Sequence, residues 1–340
     1  MSFCVLLHLQ TAAEKVSYPA LPFHVAQQNP RLAHLRTEGS QKERQKLQNE
    51  RYKAMDAHLK SVAIYIQSLG YAAELFIPRH HWDAPKPDMW SIFGDTLPPG
   101  SGILPVGMLS PQRPVDSAWA QEFKSVINSV VHEYDCKVTN NRMMQASVIS
   151  NFDIDEVKRV AKLFCLFEDV IDNLEFESEL TTPDKLPAVE SIRRNSVLEN
   201  MDDDEVMGAI DDVQDVSQLR LLLVPFIKVP GLSFKSIYKM QFAERRSRTE
   251  ILFNSHPTTA CGDKVVHFME LMAKFVQYSL DHDDETIENC RPSLEVFFDE
   301  IIRNEELAHC YDPRLSRNAK ADPYAPPGVV VRSIPLIATW

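Results

Sequence analysis

Tyr52, Met55, Leu59, Val62, Ile66 and Leu69 recur at alternating steps of three and four residues, and a glycine follows at position 70. That period places the six on one face of a helix, and a glycine just beyond them is where a helix leaves through the left-handed region. Before this helix lies the apolar run FCVLLHL, residues 3–9, and after it AAELFIP, residues 72–78. Both read as strands. Strand, long helix, glycine stop and strand make a βαβ-type unit, right-handed if the strands pair in parallel. Gly is scarce, at 10 residues, while 22 Pro gather in particular stretches, a bias that favours helices joined by proline-marked connections. The expected fold class is therefore α+β and helix-rich, with this N-terminal unit followed by a mostly helical second half.

With 340 residues, 44% of them hydrophobic, the chain is long enough for a substantial core and for more than one domain. The expected division is an α/β-type domain over 1–150, a connecting amphipathic helix over 151–176, an acidic linker or insertion over 177–217, a helical domain over 218–310 and an extended, Pro-rich tail over 311–340. Residues 78–116, rich in Pro, read as ordered loops. A helix over 117–134 follows, with Trp119, Phe123, Val126 or Ile127, Val130 and Tyr134 on one face. Asp153 and Glu156 form a capping box for the next helix. Further helices are expected around 233–253, 263–280 with Asp263 as N-cap, and 292–309. The tail ends in GVVVRSIPLIATW, whose β-branched runs predict an extended segment at a sheet edge.

The formal net charge is -12, and its placement is uneven. Residues 165–215 hold 16 Asp or Glu against Lys185, Arg193 and Arg194, so this one region carries the excess. Such a surface repels phosphate backbones and suits a protein partner with a basic face, not nucleic acid. No stretch reaches the roughly 18–20 consecutive apolar residues of a membrane span, and the opening MSFCVLLHLQ lacks a basic region before its apolar run. Six cysteines without C-x-x-C spacing support neither a disulfide framework nor a zinc ribbon nor a ferredoxin pattern. Reduced thiols point to an intracellular setting, the cytoplasm first, with an organelle reached after removal of a presequence left open.

The segment LFCLFEDVIDN, residues 163–173, carries the sharpest site candidate. On a helical wheel Val157, Val160, Leu163, Phe164, Phe167, Ile171 and Leu174 share a core face. Glu168, Asp172 and Glu175 form a stripe at its flank, with Asp169 beyond them toward solvent. Glu168, Asp169 and Asp172 are candidate Mg ligands, since Mg²⁺ takes one or two carboxylates together with waters and substrate phosphates. The competing reading is the solvated edge of an ordinary amphipathic helix. The string resembles the aspartate-rich helix of class I terpene synthases, which would imply diphosphate binding. The second metal motif such enzymes need is not met, because FFDEIIRNEELAH places Arg303 and Leu307 where ligands belong after Asp299.

Three other constellations follow. His80 and His81 beside Trp82 and Asp83 offer a base or ligand pair in a loop. Arg245, Arg246 and Arg248 in ERRSR offer an anion or partner contact, with the acidic segment of the same chain as the competing partner. Cys165, on an apolar helix, reads as a buried thiol. The GSGILPVG stretch lacks nucleotide-loop spacing, and no GxSxG or HExxH motif occurs.

In the first half, FCVLLHL, YKAMDAHLKSVAIYIQSLGYAAE, VGMLSPQ and CKVTNN stand in an order similar to the corrinoid-dependent reductases, the reductive dehalogenase and epoxyqueuosine reductase family. The resemblance implies a corrinoid cofactor reduced through two cysteine-rich [4Fe-4S] motifs. Where the first motif would fall this chain has Cys165 alone, so the resemblance implies a relative that kept the scaffold without the electron route. The function expected from the sequence is a non-catalytic interaction or structural protein with an acidic docking segment. The alternatives are a Mg-dependent enzyme acting on a phosphate or diphosphate through Glu168, Asp169 and Asp172, or a corrinoid-binding protein.

Overall fold

The computed structural model describes residues 1–12, 38–77, 85–94, 103–115, 118–138, 143–174, 189–193, 195–224, 237–245 and 248–315. The α+β expectation holds. Among these residues nine strands build one sheet, in the order β10-β11-β7-β1-β4-β3-β2, with β5 and β6 also paired to β1. The strands are β1 (Ser2–Ala12), β2 (Ala73–Leu75), β3 (Trp90–Gly94), β4 (Ile103–Leu109), β5 (Arg113–Pro114), β6 (Lys137–Val138), β7 (Met143–Ser150), β10 (Met240–Arg245) and β11 (Arg248–Pro257). A separate parallel pair joins β8 (Val189–Glu190) to β9 (Ile237–Tyr238).

The helix α1 (Glu38–Ser68) ends as its sequence requires: Gly70 has φ +91°, which a side chain would strain. β1 and β2 run in the same direction, so β1, α1 and β2 do form a crossover, but β4 and β3 lie between the two strands. β3 and β4 replace the loops expected over 78–116. Prolines and glycines around WSIFG and ILPVGML hide two strands. Within β4, Pro105 stands opposite Gln10 of β1, and the described residues of β3 end opposite Val106.

The helix expected over 233–253 is also corrected. MQFAER and RTEILFNSHP are the hairpin β10–β11, with Met240, Phe242, Ile251 and Phe253 buried at every second position, a period of two and not 3.6. This hairpin adds to β7 of the N-terminal half, so the sheet draws on both sides of the boundary expected at residue 150.

One sheet face is covered by α2 (Trp119–Tyr134), α3 (Ile154–Asp172) and α6 (Gly262–Asp281). Phe3, Val5, Leu7 and Leu9 of β1 turn toward that layer and are buried. Phe3 meets Trp119 edge-on at 4.3 Å, Trp90 meets Phe123 at 5.3 Å, and Phe164 meets Phe253 at 5.9 Å. Burial of each such ring contributes about 2–3 kcal/mol, so packing holds these helices more than intrinsic propensity does. α2 buries Trp119, Phe123, Val126, Ile127 and Val130 of the expected face, with Tyr134 half-buried, and Asp153 and Glu156 complete the expected capping box on α3.

Of the segment expected as an acidic linker or insertion, the described residues from 189 onward are packed against the rest of the fold. Its acids start helices: Asp202 and Glu205 form a capping box on α4 (Asp203–Asp211), and Asp215 caps α5 (Val216–Leu223). Val206, Ile210, Val213 and Leu219 are buried beneath them. Lys162 of α3, 1% exposed, ties this unit in through Asp211 at 2.8 Å, and reaches Asp284 at 3.2 Å and Glu288 at 2.6 Å on α7 (Asp284–Glu288). Burial opposes its charge, but the three carboxylates prevail and raise its pKa.

α6 begins one residue after Cys261, with Asp263 inside its first turn and not at the N-cap. The helix expected over 292–309 divides into a π-helical turn, Val296–Ile302, and α8 (Glu305–Tyr311), where Arg303 takes a left-handed conformation. The expected extended tail lies outside the described residues beyond 315.

Candidate functional site

The sheet face turned away from α2, α3 and α6 carries a cleft of about 600 Å³. Register fixes its floor. Leu6 pairs with Leu109 on one side and Gln145 on the other, and Ser147, Glu250 and Phe93 fall on the same face by strand alternation. Met55, Asp56 and Leu59 of α1 form one wall, and Leu75, Phe76, Ile77 and Pro85 line the rim. Most of these side chains are apolar. The ionisable ones among the described lining residues, Asp56 and Glu250, are both carboxylates.

Two devices shape the floor. A register shift in β11 after Phe253 turns Asn254 so that its Oδ1 accepts from Gln145 Nε2 at 3.0 Å, while its Nδ2 donates to the Tyr238 carbonyl at 2.9 Å. Bulges of this kind re-aim a side chain beside a site. At Gly107 an added Cβ would stand 2.3 Å from the Phe93 ring, so the bare glycine lets that ring lie across β4. Glu250 is 3% exposed and already engaged by a partner.

The carboxylates singled out on α3 do other work. Glu168 is 1% exposed and accepts from the Ile192 amide at 2.9 Å, the Arg193 amide at 3.0 Å and the Ser191 hydroxyl at 3.0 Å. Lys239 Nζ lies 3.4 Å from the same carboxylate and also bonds Asp172. Glu168 is thus not on a solvated stripe: it pins the loop after β8 and the junction of β9 and β10 to α3. Asp172 and Asp169 are exposed. Among the described residues no group of three or more His, Cys, Asp or Glu stands where it could hold a metal ion.

Cys165 is buried, and desolvation, followed by the nearby Glu168, pushes its thiol up to about 12. Arg245 and Arg248 are register partners at the end of the β10–β11 hairpin, with Arg248 exposed, and Arg246 lies outside the described residues. So do His80 and His81. Among the described residues, none of the carboxylates or arginines singled out from the sequence lines the cleft. The sequence signal that marks the cleft is polar residues alternating within apolar strands: Gln145 and Ser147 in MMQASVIS, and Glu250 in RTEILF.

No family model, no curated protein and no solved structure matches this chain. No helix among the described residues is long and apolar enough to cross a membrane.

Proposed function

We propose that the chain is a small-molecule binding protein whose ligand occupies the cleft on the sheet face turned away from α2, α3 and α6. The observation that carries this is a cavity of about 600 Å³ with an apolar lining and two carboxylates. That volume lies within the roughly 300–1,000 Å³ of small-molecule sites, and a few polar groups in an apolar wall are what orient a ligand. The favoured ligand has an apolar body and a cationic or hydrogen-bond-donating end, since the Asp56 carboxylate lines the cleft and attracts one.

Calorimetric titration with decylamine and decanoate, equal in length and opposite in charge, tests this. The amine is expected to bind at least tenfold more tightly. Asp56→Asn, close in shape to the native residue, should bring the two ligands within about threefold. Leu6→Trp, which fills the cleft floor, should abolish both. Equal binding of amine and carboxylate by the native chain would overturn the charge assignment, and undiminished amine binding by Leu6→Trp would overturn the site.

A second reading rests on another surface. Asp203, Asp204, Glu205, Asp211, Asp212 and Asp215 are exposed on or beside α4 and α5, and the same segment exposes Val197 and Leu221, 41% and 51%. These features support docking of a protein with a basic face. Retention of a basic protein at low ionic strength, lost when Asp203, Asp204 and Glu205 are all changed to Lys, is the expected result. Recovery of a lone monomer at native expression would count against it.

A further inference from the structure

Away from the cleft, two helices bring a thiol, an imidazole and a carboxylate into line. Cys310, half-buried on α8, places its Sγ 3.3 Å from Nδ1 of His267 on α6. On the other side of the ring, Nε2 stands 3.4 Å from Glu306 Oε1. Glu306 precedes Cys310 by four residues, so one short helix presents both groups to the two nitrogens of a single imidazole. With its proton on Nε2 the ring donates toward Glu306 and accepts from the thiol at Nδ1, so one tautomer serves both contacts.

These are the parts that turn a weak nucleophile into a strong one: a base within hydrogen-bond reach of the thiol, itself oriented by a third group. Glu270, half-buried on α6, lies within electrostatic range of both His267 and Glu306, and burial raises its pKa. Among the described residues, other titratable groups near the pair include Tyr311, whose phenol burial holds well above its ordinary value, Cys261 just before α6, and Lys124 of α2, which lies within electrostatic range of Glu306.

We propose that Cys310 is a nucleophilic thiol, activated by His267 and with Glu306 as the positioning residue, that is modified by small uncharged electrophiles. The proton of Sγ passes to His267 Nδ1, leaving a thiolate beside an imidazolium. With iodoacetamide as probe, sulfur donates its electron pair to the methylene carbon, the S–C bond forms, the C–I bond breaks and iodide leaves with the bonding pair. The imidazolium then gives its proton to water. Uncharged reagents are specified because Glu270 and Glu306 repel anions.

The full-length chain, treated with limiting iodoacetamide from pH 5.5 to 9 and read cysteine by cysteine by peptide mass spectrometry, tests this. Cys310 is expected to react at least tenfold faster at pH 6.5 than the similarly half-buried Cys290, with a midpoint below the roughly 8.5 of an ordinary thiol. His267→Gln should remove the acceleration and return the profile to that of an ordinary thiol. Glu306→Gln should slow the reaction at pH 6.5 by about threefold and raise the midpoint. Since the Glu306 side chain is 77% exposed, its replacement leaves the fold intact and decides the matter if His267→Gln unfolds. Equal rates at Cys310 and Cys290, or a native profile in both variants, would overturn the proposal. The outcome is independent of the cleft, because none of the three residues lines it.

Discussion

Glu168→Ala is expected to lower the unfolding free energy by about 3–5 kcal/mol, the range for breaking a buried, hydrogen-bonded ion pair by removing one partner. The reason is what the carboxylate holds. It accepts from two backbone amides and a hydroxyl of residues 191–193 while lying 3.4 Å from Lys239. Its loss leaves two amides without acceptors, each costing about 1–3 kcal/mol where burial is complete, and releases the segment on which α4 and α5 follow. Glu168→Gln should cost less, since an amide oxygen still accepts, but its NH₂ group opposes the remaining donors. Urea unfolding checks both variants. A change below about 1 kcal/mol for the alanine variant would mean that the carboxylate does not anchor this loop.

Acid should destabilise the protein between pH 6.5 and about 4 by about 3 kcal/mol through His256. This imidazole is 1% exposed, packed 5.0 Å from the Phe268 ring and 6.2 Å from Tyr311. Desolvation lowers its pKa to about 4 despite the hydrogen bond with the Pro257 carbonyl, and Lys264 adds to the lowering. Above pH 6.5 folded and unfolded chains both carry the neutral ring, so stability does not depend on this group. Between 6.5 and 4 the unfolded chain takes up a proton that the folded chain refuses, and stability falls with pH. Burial lowers His58 too, which adds in the same direction. Urea curves at pH 7.0, 5.5 and 4.5 should converge between the native chain and His256→Gln as pH falls. Parallel curves, or a His256 ring that titrates near 6.5 by NMR, would refute it.

Where side-chain period and burial coincide, the sequence was legible. α2 follows its apolar face, Gly70 ends α1 and Asp153 starts α3, each through a local rule that needs no knowledge of the rest of the chain. Strands interrupted by special residues were not. Pro105 and Gly107 belong to β4 because of what lies beside them, Gln10 of β1 and the Phe93 ring, and neither neighbour can be inferred from local pattern. Glu168 shows the same limit in another form. A helical wheel separates apolar from polar faces but cannot say whether the polar face meets water or another part of the chain. Here residues 191–193 fold onto it. The cleft was hidden for a related reason: its floor joins strands from positions 6, 93, 109, 145 and 250, which only the register brings together.

The cleft also explains the placement of α1. Met55 and Leu59 lie close enough to Gly94 that an added Cβ would stand 2.9 Å from the Met55 methyl, so α1 seals one end of the cavity against β3. Met55 is therefore a reporter inside the site. The most direct test labels the methionine methyls with ¹³C, assigns the Met55 signal with a Met55→Leu variant, and titrates the chain with decylamine. A saturable shift of the Met55 methyl that disappears in Leu6→Trp is the predicted result. A Met55 signal that stays fixed while the amine binds elsewhere would contradict the assignment of this cleft as the ligand site.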